Sequence, residues 1–213
     1  MIDNKVPVLI VGTESPAYNA LEIAQSLDVL VLGFLTTKEE EVNKEINDIL
    51  IVAALESDDA NTLLQDESSK VVIAEEDMSL RQERIEQIDG KGAEIVNLFH
   101  ETCTISSFSK LGRGILMNAG SYIQPNVLLG SFNLIGSQVS IGTGSVIGDY
   151  CTIQDGVKIG KEVAIEDEVF IGIGAVIHPK VALGKGAMIA AGSVVMQDVQ
   201  PGTSVFGNPA KEV

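Results

Sequence analysis

The sequence predicts two units: a small Rossmann-like α/β domain over residues 1–100, and a parallel β-helix built on six-residue repeats over 101–213. Three observations carry this reading. Aliphatic residues recur at a spacing of six, sixteen in a row, from Ile105 through Leu111, Met117 and Ile123 to Val195. Before that point, short apolar runs alternate with helical patterns, as in a parallel α/β sheet. The charge breaks at the same place: residues 1–100 hold 21 Asp/Glu against 7 Lys/Arg, and residues 101–213 hold 9 against 7.

In chain order, VPVLIVG (6–12) is a continuous apolar run closed by glycine, which suits a buried parallel strand. Ser15-Pro16 then offers an N-cap and a first-turn proline for the helix PAYNALEIAQSL. DVLVLGFL (28–35) reads as a second strand, INDILIVAAL contains a third, DANTLLQD fits a short helix, and KVVIAEE (70–76) makes a fourth strand. SLRQERIEQIDGKG opens with a Ser79…Gln82 capping box and stops at Gly90/Gly92. AEIVNLF (93–99) is expected as a fifth strand.

The repeat then takes over. A six-residue unit is one short strand plus a turn, and three units close a triangular coil of eighteen residues. The aliphatic residue points into the prism. Four positions later a second inward site has little room and holds small residues or Val, as at Ser121, Val127, Ser145, Cys151, Val157 and Ala175. Glycine often follows the aliphatic position (Gly112, Gly130, Gly142, Gly160, Gly172), where a turn conformation favouring glycine is expected. A narrow prism filled by Ile and Val also accounts for the absence of Trp.

Composition narrows the partners. The net charge of −16 opposes nucleic acid and anionic membranes. Two cysteines make no disulfide framework, and MIDNKVPVLIVG has neither a basic leader region nor a span-length apolar run; a cytoplasmic protein is expected. Two histidines in unrelated repeat units cannot supply a three-histidine zinc site, so no metal is expected.

The repeat, together with VNLFHETCTISSFSKLGRG (96–114) and FIGIGAVIHPKVALGKGAMIAAGSVVMQDVQPGTSVFGNPAK (170–211) ending in Gly207-Asn208-Pro209-Ala210, resembles the hexapeptide acyltransferases. The domain order resembles their sialic acid O-acetyltransferase and bacillosamine-type sugar N-acetyltransferase branch. That resemblance implies a left-handed β-helix, a homotrimer, acetyl-CoA bound between neighbouring prisms as acyl donor, and a small-molecule acceptor, a sugar or nucleotide sugar. It also implies a histidine base paired with an acid, and a second histidine a half-coil later.

In this chain those positions are Thr143-Gly144 and Thr152, so the catalytic residue is left unassigned. Threonine is no general base near neutral pH. His178 is expected at an exposed corner about two coils above Thr143, His100 in a capping or interdomain hydrogen bond, Asp149 and Asp155 in turns, and Cys151 as an inert core thiol. The acyl-donor groove that the resemblance implies follows the ladder Asp155, Ile173, Ala191. Gly172, Gly174, Ala190 and Gly192 line it, and Lys161, Lys180, Lys185 and Lys211 are placed to meet phosphates. The phosphate turn after the first strand keeps only Gly12, beside Glu14, and Thr36-Thr37 follows the second strand, so a nucleotide-sugar acceptor fits that domain poorly. Two function classes stay open: an acyltransferase, or a degenerate trimeric binding or structural module.

Overall fold

The computed structural model describes residues 6–66 and 68–213; residues 1–5, on which the reading of no leader partly rests, lie outside that range. The chain divides into two compact units between Glu101 and Thr102. The first comprises β1 (Val8–Val11), α1 (Ser15–Ser26), β2 (Val31–Thr36), β3 (Glu45–Ile46), β4 (Ile49–Ala54), α2 (Asp58–Leu64), β5 (Lys70–Ile73) and α3 (Met78–Asp89). Its sheet has the order β3-β4-β2-β1-β5 and is parallel except at β3.

Four of the expected strands form. The fifth does not: Ile95 makes a single bridge to Val71, and only Leu98–Phe99 is a strand in the rest of 93–99. Pairing ends after Val71 N donates to Glu94 O and Val96 N to Val71 O, because the chain then leaves the sheet. In its place β3 pairs back on β4 through Asn47 and Asp48, both at left-handed φ, residue types that tolerate this conformation.

Two cap assignments also shift. Helix α1 starts at Ser15 behind an extended Glu14 that makes no side-chain cap, although Pro16 does occupy the first turn. Helix α3 is capped by Asp77, whose carboxylate accepts from Leu80 N at 2.9 Å, rather than by Ser79; the acid lies two residues upstream, so the helix starts at Met78.

The second unit is a left-handed parallel β-helix of two-residue strands. One sheet runs from Thr104–Ile105 to Val194–Val195, a second from Lys110–Leu111 to Ala182–Leu183, and a third from Leu116–Met117 to Met188–Ile189. Each strand pairs with the one eighteen residues on. Ser204–Gly207 extends the third sheet and turns back as Ala210–Glu212, so the Gly207–Ala210 signature forms a terminal hairpin turn. The aliphatic column is buried from Met117 to Val195, and half-buried at Ile105 and Leu111. Cys151 is fully buried, as an inert core thiol should be.

The role expected for the glycines is corrected. The left-handed residue of each turn is a different one: every sixth residue from Gly114 to Gly192 has positive φ, and half of these are not glycine (Asn126, Phe132, Gln138, Tyr150, Glu162, Glu168, Lys180). The glycines after the aliphatic position are there because the coil above is too close. A Cβ on Gly142 would lie 2.5 Å from the Gly160 carbonyl carbon, and one on Gly160 2.5 Å from Pro179 N.

Inward polar residues join coil to coil. Ser121 Oγ donates to Gly136 O and accepts from Val139 N, and Ser145 does the same with Gly160 O and Val163 N. Asn133, a buried exception to the small-residue column, bridges Gly148 O and Cys151 N. Turns without such a side chain beneath close directly, as Ala187 N on Gly184 O at 3.0 Å and Ala175 N on Gly172 O at 3.2 Å.

Two alanine variants in one turn separate close stacking from turn conformation. Gly142→Ala should cost about 2–3 kcal/mol through overpacking. Gly144→Ala, whose Cβ would meet only the Glu162 Cγ at 3.6 Å, should cost about 1 kcal/mol for its left-handed φ. Urea unfolding measures both, and equal losses would contradict the stacking role.

Candidate active site

With the coil of residues 140–157 as reference, the prism has three corners, at 142–145, 148–151 and 154–157. Thr143 lies exposed on the first. Its N–H and its Oγ1 both donate to Gln124 Oε1 of the coil below, at 3.1 and 3.0 Å. The hydroxyl is therefore a committed donor, and it faces an amide oxygen that is no base. His178 is exposed on the same corner, two coils above Gly142, roughly 10 Å by strand spacing. Thr152 is buried, on the strand between the second and third corners.

The groove ladder lies on the third corner. Gly174 N donates to Asp155 O and Gly192 N to Ile173 O, both at 2.8 Å, so Asp155, Ile173 and Ala191 stack in register. Ile173 is 56% exposed, and a Cβ on Gly174 or Gly192 would meet nothing within 4 Å. Gly172 sits beneath, where a Cβ would strike Ala191 N at 2.6 Å, and Ala190 N donates to Val205 O. Ile173, Gly174, Ala191 and Gly192 thus form one open edge, with Gly172 buried beneath it and Ala190 half-buried beside it.

The lysines do not join that edge within one chain. Lys161 and Lys180 stand on the first corner, Lys180 beside Glu162 at 3.7 Å. Lys185 lies on the second corner, where its bond to Glu168 raises its pKa. Of these four, Lys211, opposite Phe206 in the terminal hairpin, comes nearest to the ladder in register; Lys158, three residues after Asp155, donates to Gln138 O on the same corner one coil below. Sequence reasoning missed Phe206, 60% exposed one residue beyond the strand position bonded to Ala190; its signal was a large aromatic residue just before Gly207. Asp149 and Asp155 do support turns, accepting from Ser131 N and Ser137 N at 2.6 Å each. Among the described residues, no group of three or more His, Cys, Asp or Glu could hold a metal ion. No helix is long and apolar enough to cross a membrane.

In the first unit, the crevice outside the carboxyl ends of β1, β2 and β5 is where an α/β sheet of this kind receives ligands. Gly12 permits close approach there, since a Cβ would lie 2.4 Å from Ala74 O. Glu41 fills the space between the ends of β1 and β2: its Oε2 accepts from Thr36 Oγ1 at 2.7 Å and Thr13 Oγ1 at 2.9 Å. The Thr36 bond foremost, with those from Thr13 and Lys38, holds its carboxyl below the usual range against a partial cost of burial. Burial pushes Glu75, beyond the end of β5, the other way, and the charge of Glu14 adds to this.

Residues 162–197 match the family described as bacterial transferase hexapeptide (six repeats), and residues 138–166 match the hexapeptide repeat of succinyl-transferase. Among solved structures, a variant of perosamine N-acetyltransferase from Caulobacter crescentus, in complex with CoA and GDP-perosamine, superposes with a TM-score of 0.90 at 22% identity, covering 97% of this chain and 96% of its own. The acetyltransferase domain of PglB from Neisseria gonorrhoeae, in complex with acetyl coenzyme A, gives 0.87 at 20% identity, over 98% of this chain and 100% of that one. WeeI from Acinetobacter baumannii AYE gives 0.83 at 22%, over 97% and 99%. Among curated proteins, no sequence matches.

The raised pKa of Glu75 has a stability consequence. Its favourable contribution is complete below its unfolded pKa and is lost as pH rises through the folded value. Glu75→Gln should therefore raise the melting temperature at pH 7, with the gain shrinking toward pH 4, about the unperturbed carboxyl range. Calorimetry across that range checks it; an unchanged melting temperature at pH 7 would show that the buried charge costs nothing.

Proposed function

We propose that the protein transfers an acyl group, acetyl foremost, from coenzyme A to a hydroxyl or amine of a sugar-type acceptor. The ladder of Gly172, Ile173, Gly174, Ala190, Ala191 and Gly192 carries this reading, because its open edge leaves a narrow apolar wall for a pantetheine arm. The fold shared along nearly the whole chain with CoA-bound acetyltransferases supports it.

In the transfer, the acceptor's lone pair attacks the thioester carbonyl, the C–S bond breaks, and the acceptor's proton leaves with the thiolate. Thr143 does not take that proton, because its hydroxyl is donated to Gln124. Transfer to an amine that is already partly deprotonated and held in place needs the least help. The same observation favours a second reading, a trimeric module that keeps the groove and has lost the chemistry.

Acetyl-CoA binding and thiol release separate these readings. The parent should bind acetyl-CoA, and Ala191→Trp should weaken binding by about tenfold or more, 1.4 kcal/mol. Thr143→His should raise transfer to an amino sugar by about 10²-fold, the lower range for a general base. A parent that binds no acetyl-CoA would sink the transferase reading; one that binds but releases no thiol with any amino sugar selects the second.

A trimeric assembly is part of this proposal. Thr143 with Lys161 and Lys180, and the ladder, occupy opposite ends of the sheet that runs from Thr104–Ile105 to Val194–Val195. If that sheet faces a threefold axis, the first corner of one copy lies beside the ladder of the next. Tyr122 and Val176 stand exposed on it. Sedimentation should give three times 22.5 kDa. Val176→Asp should dissociate the trimer, whereas Val146→Asp, on the adjoining sheet, should not; the reverse pattern would overturn this arrangement.

A further inference from the structure

The carboxyl-end crevice of the first unit departs from an anion site in three ways, each readable in its residues. Helix α1 points its N-terminus at the crevice, but Pro16 removes one of its free N–H groups. Glu14 occupies the N-cap, where its charge opposes an incoming anion. Glu41 is the third departure. It accepts the hydroxyls that end β1 and β2, Thr13 and Thr36, as a bound phosphate oxygen would. The 3₁₀ turn Glu39–Glu41 carries it there, and the β3–β4 hairpin anchors that turn through Lys44 N on Glu41 O and Ile51 N on Lys44 O. Lys38, on the β2 side, is shared between Glu41 at 3.4 Å and Glu14 at 3.9 Å. On the β5 side stand Glu75 and Asp77, with two arginines beside them that are already engaged: Arg81 Nη1 donates to Glu75 O at 3.0 Å, and Arg84, whose charge also acts on Glu75, pairs with Glu83 at 2.9 Å.

We infer that Glu41 is a built-in anion that shuts this crevice to phosphate, so that the first unit binds no nucleoside diphosphate and the acceptor arrives without one. An entering diphosphate would have to displace a carboxylate from two hydroxyl donors. It would also meet the charges of Glu14 and Glu75 across the same gap, with Lys38 already engaged. A sugar or amine without phosphate carries no such penalty. The narrowing of the acceptor rests on the transferase reading; the closure of the crevice does not.

The test uses the full chain. UDP, GDP and inorganic phosphate are titrated calorimetrically into the parent, into Glu41→Gln, and into the Glu14→Gln/Glu41→Gln double variant. Glutamine keeps an acceptor oxygen for Thr13 and Thr36, and an unchanged circular dichroism spectrum and thermal transition verify folding. The parent should show no saturable uptake, and the double variant should bind UDP or GDP about tenfold or more above the parent's limit, as removal of repulsive charges at close range permits. Saturable nucleotide binding by the parent overturns the inference, and so do variants as unresponsive as the parent. Should the variants unfold, the parent titration with Thr36→Val beside it still decides: uptake by the parent that Thr36→Val weakens would place a nucleotide in the crevice. Acetyl-CoA is titrated into the same samples, so a failure of the transferase reading is seen separately from a failure of this one.

Discussion

Successive coils of the β-helix lie one strand spacing apart, about 4.8 Å, so each turn's backbone is the floor of the turn above. That distance leaves no room for a Cβ at the residue after the inward aliphatic in eight turns, from Gly112 to Gly184. Where the glycine leaves space, the coil above uses it. The Oδ1 of Asp149 sits 2.3 Å from where a Gly130 Cβ would be, and accepts Ser131 N there; Asp167 does the same above Gly148 for Asp149 N. Glycine and aspartate are thus a pair across the stack, and neither is explained by its own turn.

The same constraint separates the prism's stability from its chemistry. Inward residues hold the coils, by apolar packing in the aliphatic column and by side chains such as Ser121 and Ser145 that insert into the turn above. Outward corner residues answer to fewer partners. Thr143 needs only Gln124 beneath it, and the backbone of its turn is bonded independently through Glu162 N on Thr143 O. Gln154 and Glu166 reach up in the same way to Ile173 N and Lys185 N, so a side chain joining adjacent coils is an ordinary feature of these corners. A side chain at such a corner can therefore change without disturbing the stack.

What the sequence made legible follows from this division. The period of six was readable because each inward residue meets the same environment, and the burial from Met117 to Val195 repeats that pattern. The purpose of the glycines was not, since the obstructing atoms belong to residues seventeen to nineteen positions away. Asn133 escaped notice for the same reason: its partners Gly148 O and Cys151 N are fifteen and eighteen residues on. In the first unit, continuous apolar runs marked β1, β2, β4 and β5, while β3 was hidden in two residues. Its turn, Asn47-Asp48, did carry a local signal. At the groove, small residues showed the ladder, but the placement of lysines on other corners required the three-sheet geometry.

The charge of the chain is divided unequally between its two units. Residues 1–100 hold 21 acidic against 7 basic side chains, and the first unit directs Glu14, Glu41 and Glu75 at its own ligand crevice. Residues 101–213 are nearly balanced, at 9 against 7. Coenzyme A is a polyanion, and a field of one sign is felt over roughly a Debye length, about 8 Å at physiological salt. The β-helix carries Lys211 opposite Phe206 in its terminal hairpin, and a Cβ on Gly174 or Gly192 would meet nothing within 4 Å. The acidic first unit thus opposes an anionic ligand at its own crevice, whereas the nearly balanced second unit sets no such field against one.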